Sequence, residues 1–147
     1  MQKFGDTMTT SGEYLYAGMG NTDAGNAIVL RYDNSSWTPI GGQAYNSSWA
    51  ADTYESVMSS ASYNGELYVG LGIGTGEAEV WKWNGSAWSQ IGGDTLNTSW
   101  ANATYEEVTT LVSDRDYLYA GLGSGANDAE IWRYNDYFGR IFICRYG

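Results

Sequence analysis

The chain repeats itself, and the repeat limits its fold more than any other feature. Leu15-Tyr16-Ala17-Gly18-Met19-Gly20 returns as Leu67-Tyr68-Val69-Gly70-Leu71-Gly72 and as Leu118-Tyr119-Ala120-Gly121-Leu122-Gly123, at spacings of 52 and 51 residues. Ala27-Ile28-Val29-Leu30-Arg31-Tyr32 returns at 78–83 and 129–134, at 51 residues both times. The stretches 27–62 and 78–113 share 16 identities in 36 positions. A unit copied at this period is one supersecondary element, which buries its apolar face only by stacking on its neighbours.

Each copy reads as four strands. In the second copy an alternating run, Val57 to Ser62, meets the turn Tyr63-Asn64-Gly65-Glu66. Asn-Gly is the strongest short hairpin signal, because both turn residues need positive φ. Leu67 to Leu71 and Ala78 to Trp83 follow as strands two and three. A second Asn-Gly turn, Asn84-Gly85, leads to Ala87–Ile91, and Gly92-Gly93 closes the unit. Helical periodicity is absent. With 20 Gly, 13 Tyr and 7 Trp against one Pro, the composition suits short strands and tight turns.

Four antiparallel strands in about 50 residues resemble the blade of a β-propeller, in the size range of kelch and WD-type repeats. The kelch double-Gly with its spaced Tyr and Trp is missing, as are the Gly-His and Trp-Asp marks of WD40. The chain is more similar to recently amplified repeats of bacterial and lectin-like propellers, of which tachylectin-type propellers are an example. The resemblance implies an all-β fold with three four-stranded blades per chain, about 5–42, 55–93 and 106–146, in one domain spanning 1–147. The last blade leaves the pattern: 136–147 shares no identity with the Trp88–Gly93 end of its predecessor, yet it alternates and is rich in β-formers.

Composition removes several chemistries. The net charge of −10 leaves no electrostatic footprint for nucleic acid or an anionic membrane surface. There is no His, so imidazole-based catalysis and imidazole metal sites are out. Cys144 stands alone and forms neither an internal disulfide nor a multi-Cys zinc site. No apolar run reaches the length of a membrane span, and the first residues lack the core of a signal peptide. Compartment is not legible, and no cofactor or metal is expected.

The connections between blades carry the most information. Both keep Asn-x-Ser-Trp-Ala and Thr-Tyr-Glu, which places Trp49, Asn46, Tyr54 and Glu55 beside their counterparts Trp100, Asn97, Tyr105 and Glu106. One reading makes the tryptophans sugar-stacking platforms, with the Asn or Glu side chains orienting hydroxyls. The other makes each Trp a packing residue that fills the wedge to the next blade, since aromatics bury large areas. Among the remaining candidates, the loops at 21–23, 74–77 and 124–128 put Gly and acids on one rim without a calcium-loop pattern, and read as solvated turns. Glu79 and Glu130, next to Trp81 and Trp132, read as surface-facing strand positions rather than a glycosidase pair. The Asn-x-Ser/Thr sequences at Asn34, Asn46, Asn84, Asn97 and Asn102 read as turn residues.

Propellers close with about 4–8 blades, so three form an open arc with apolar sheet faces at both ends. A second copy joined head to tail gives a closed ring of six. The expected function is a non-enzymatic binding module for a glycan or protein partner. The alternatives are a propeller enzyme with a central-channel site, or a blade fragment with no ligand of its own.

Overall fold

In the computed structural model, the described residues are 7–144 except 22, 44, 46–47, 50–52, 94–95, 97–98, 101–103, 124–128 and 137–139; for 140–144 the backbone course alone is described. All regular structure among them is β. Twelve strands run in three antiparallel meanders. The first holds β1 (Thr7–Ser11), β2 (Tyr14–Met19), β3 (Ile28–Tyr32) and β4 (Trp37–Gly41). The second holds β5 (Ser56–Tyr63), β6 (Glu66–Gly72), β7 (Glu79–Trp83) and β8 (Trp88–Gly92). The third holds β9 (Glu107–Asp114), β10 (Tyr117–Gly123), β11 (Glu130–Asn135) and β12 (Arg140–Cys144).

These strands form a four-stranded and an eight-stranded sheet. The larger one is the second and third meanders joined by a single residue pair, Gly72 with Glu107. The repeat-equivalent pair, Gly20 with Ser56, links the first meander to the second as an isolated bridge. The curled antiparallel sheets are compatible with a propeller-like blade fold.

Local chemistry explains the strand ends. Asn64 and Gly65 both have positive φ (50° and 79°), so the turn read from the sequence fits the right-handed twist of β5 and β6. At Asn84-Gly85 the Asn84 Oδ1 accepts from the Ser86 and Ala87 amides at 3.0 and 2.9 Å, closing the β7–β8 hairpin. Bulges recur at matching places. One sits between Val57 and Ser59 and again opposite Gly121 and Leu122; the other follows Val29 and Val80. The β11–β12 ladder runs without the second bulge, so the tail is a fourth strand in a plainer register.

The repeated glycines mark where meanders meet. A Cβ on Gly18 would stand 2.5 Å from Val57 Cγ1, and one on Gly70 would stand 2.6 Å from Val108 Cβ. A Cβ on Gly20 would stand 2.3 Å from Ser56 Cα, and one on Gly72 would stand 2.6 Å from Glu107 Cα. Real Cβ atoms do not come so close, so the Gly-x-Gly pairs let the next meander's first strand lie directly on the sheet. Two apolar cores result, one per junction. Val29, Ile40, Val57, Leu67, Val69 and Leu71 lie in the first. Val80, Val108, Leu111, Leu118 and Leu122 lie in the second.

Candidate functional site

The linkers between meanders have a mechanical role. Trp49 is buried, and its Nε1 donates to the Ala27 carbonyl at 2.9 Å. Its ring meets Trp81 and Trp88 edge-on, with centroids 5.6 and 5.0 Å away. Trp100 is buried in the same way: its Nε1 donates to the Ala78 carbonyl, and its ring meets Trp132 at 5.1 Å. Exposed stacking platforms at Trp49 and Trp100 are therefore overturned. Each indole sits between two meanders, where burying its area is worth more than leaving it in water.

Tyr54 and Tyr105 are buried as well, and their backbones do the work. The Tyr54 carbonyl accepts from the Gly25 and Ala27 amides at 3.1 and 3.2 Å. The Tyr105 carbonyl accepts from Gly76 and Ala78 at the same two distances. The Glu55 carbonyl takes the Asn21 amide, and the Glu106 carbonyl takes Ile73. Thr-Tyr-Glu thus pins the second-to-third-strand loop of the preceding meander. The Glu55 and Glu106 side chains are partly exposed. Asn46 and Asn97 lie outside the described residues.

Glu79 departs from its expected surface position. It is 4% exposed, and its Oε2 accepts from Trp81 Nε1 at 2.7 Å. Glu130 accepts likewise from Trp132 at 2.9 Å. Each carboxylate shares its strand face with two aromatics, Glu79 with Trp81 and Trp83 and Glu130 with Trp132 and Tyr134, and those rings pack into a junction core, so the carboxylate is drawn inward with them. The loop at 74–77 is closed on itself, with Gly74 N donating to Glu77 Oε2 at 3.2 Å. Among the described residues no three acidic or thiol groups gather to hold a metal ion.

A charged cluster joins the second and third meanders. Lys82 Nζ lies 3.0 Å from Glu66 Oε2 and 3.5 Å from Asp136 Oδ1. Tyr68 donates to Glu66 at 3.4 Å and Tyr134 donates to Asp136 at 2.8 Å. Burial, then the negative charge of Asp136, pushes the Tyr68 hydroxyl far above its ordinary range. Burial, then the bond to Asp136, does the same for Tyr134. For Lys82, burial alone would lower the value, but the hydrogen bond to Glu66 and the charge of Asp136 outweigh it and raise it. Lysine stays charged and both phenols stay neutral at ordinary pH, so the cluster clamps the second meander to the third.

The signal for the cluster was available. At the Glu66 and Lys82 positions the first meander has Tyr14 and Arg31, and the third has Tyr117 and Arg133. In both, the guanidinium lies over the ring, at 4.7 and 4.3 Å from its centroid. A Tyr–Arg pair exchanged for Glu–Lys between copies marks a contact.

A small apolar recess lies at the second junction. It is lined by Val80, Ile91, Trp100, Leu118, Ala120, Trp132 and Tyr134. Every one of these is the repeat counterpart of a residue at the first junction, where Trp88 fits. Trp88 packs at 5.0 Å on Trp49 and at 5.3 Å on Trp83, and its Nε1 donates to the Ile40 carbonyl at 2.8 Å. In the third meander the register position opposite Tyr134 belongs to Ile141, where Trp88 stands opposite Trp83. Comparison with protein-family models and with curated proteins finds no match to this chain.

Proposed function

We propose that the chain is a non-enzymatic binding module of the propeller type. Its three meanders are three blades, and a second copy joined head to tail makes a closed ring of six. The carrying observation is that the two internal junctions use the same positions: Gly20 with Ser56 and Gly72 with Glu107, sealed by Trp49 and Trp100. A junction built twice from one pattern is the way a propeller adds blades. A ring of two copies presents each rim loop twice, which suits a glycan or protein ligand with repeated epitopes. With the linker tryptophans inside, the ligand surface falls on the exposed rim rather than in the wedges.

Two measurements test this reading together. Sedimentation should give a species at twice the 16.1 kDa chain mass. A glycan array probed with that species should show saccharide binding. A folded monomer at all concentrations overturns the ring, and an array without any bound saccharide overturns the glycan half of the reading.

A further inference from the structure

The ends of the chain carry, exposed, the positions that the internal junctions bury. Val29 and Val80 are 1% and 2% exposed where the next meander covers them; their counterpart Ile131, at the end of the third meander, is 47% exposed. Ala61 is buried and its counterpart Val112 is exposed. A Cβ on Gly72 would meet the Glu106 oxygen at 2.5 Å, whereas the nearest atom to one on Gly123 is Thr109 Cγ2 at 3.8 Å. At the other end, Leu111 is buried against the second meander and its counterpart Met8 is exposed.

Trp37 completes the pattern. It is the counterpart of Trp88, and it packs on Tyr32 at 5.0 Å as Trp88 packs on Trp83 at 5.3 Å. Trp88 goes on to reach the preceding meander through Trp49 and the Ile40 carbonyl. Trp37 is left 44% exposed. Monomeric surfaces seldom leave such aromatic and aliphatic groups together in water.

We infer that the face carrying Ile131, Val112 and Gly123 receives the first meander of a second copy, whose Trp37 anchors the junction against β12 of the copy it covers. The inference rests on the ring reading above and names the residues that close it. The occupant is argued from continuity: the open face is the internal junction's own face, and the piece that fits it at the internal junctions is the first strand of this same repeat. The two ends differ, so end meets end twice around a two-fold axis. Trp37 has the profile of an interface hot spot, a large aromatic seated by its own sheet and aimed at an apolar wedge.

Sedimentation over a dilution series tests it, with Trp37→Ala, Gly123→Ala and the exposed neighbour Thr38→Ala as control, each checked by far-UV circular dichroism. Truncating an anchor weakens a junction about 30-fold, the ratio that corresponds to about 2 kcal/mol. Two junctions per ring make the loss about a thousand-fold for Trp37→Ala. Gly123→Ala should weaken assembly comparably, because its methyl has room in the single chain and none in the junction. A defect of this kind is recovered by raising the protein concentration, which a damaged core is not. If the wild-type chain pairs and neither variant weakens it, this assignment is wrong while the ring stands. If the wild-type chain does not pair, the ring reading itself fails.

Discussion

Gly72→Ala probes the internal junction with one methyl group. The new Cβ would lie 2.5 Å from the Glu106 carbonyl oxygen and 2.6 Å from Glu107 Cα. Both are main-chain atoms, so no side chain can swing aside. Ordinary contact requires β9 to retreat from β6 by roughly 1 Å. That retreat lengthens the bond from Ile73 N to the Glu106 carbonyl, now 3.2 Å, and loosens the seat of fully buried Val108. Overpacking costs about 1–3 kcal/mol, here toward the upper end, and a weakened hydrogen bond adds up to about 1. Loss of unfolded-chain freedom returns about 0.4–1 kcal/mol. The net expectation is about 2–3 kcal/mol, or roughly 4–12 °C in Tm for a chain of this size. Urea unfolding followed by tryptophan fluorescence at constant protein concentration measures it. A loss below about 0.5 kcal/mol would mean that the meanders are not pressed together at Gly72, and the account of the repeated glycines would fall.

Trp49→Ala should cost about 3–5 kcal/mol, because it empties the first wedge and strips the Ala27 carbonyl of its indole donor; a small change in the urea midpoint would return Trp49 to the surface. Ala120→Val puts into the recess the residue that Val69 supplies one repeat earlier, and calorimetry should show a gain of about 1 kcal/mol, whereas a loss would mean the recess is already full. Tyr68, Tyr134 and Lys82 all have raised values in the folded chain, so the stability they contribute is complete below their unfolded values of about 10 and drains away as pH rises beyond that. Urea midpoints should therefore hold steady from pH 8 to about 10 and then fall, and Tyr68→Phe should flatten the fall.

The architecture was legible because turns and strand periodicity are local. Asn64-Gly65 offers two residues that tolerate positive φ side by side, and Val57 to Ser62 alternates along its own strand. The role of the linkers was not legible for the opposite reason. Asn-x-Ser-Trp-Ala repeats whether its tryptophan binds a ligand or fills a wedge, and only the neighbouring sheet decides. Glu79 shows the same limit. A lone acid in a strand reads as a surface position, but Glu79 shares its face with Trp81 and Trp83, and the first junction buries that face with the Trp81 indole bonded to the carboxylate. The Glu66–Lys82–Asp136 cluster draws on β6, β7 and the turn after β11, in two meanders, so no single window of sequence contains it.

A chain with three copies of one unit carries its own controls. Residues 29, 80 and 131 are all β-branched aliphatics at one strand position, yet the first two are sealed and the third is open. Residues 37 and 88 are both Trp, each packed on the aromatic ring at one repeat position (Tyr32 and Trp83), yet the Trp88 indole bonds across a junction and the Trp37 indole faces outward. Side-chain type is held in these comparisons (β-branched aliphatic at 29, 80 and 131, Trp at 37 and 88), so the neighbour is the variable that sets burial. A free end therefore holds apolar area that the repeat was shaped to hide, about 25 cal/mol for each Å² left wet. That area favours end-to-end assembly, and the charge of −10 on every copy opposes it. The repulsion is screened by salt while the apolar contact is not, so added salt should tighten the assembly whose anchor is Trp37.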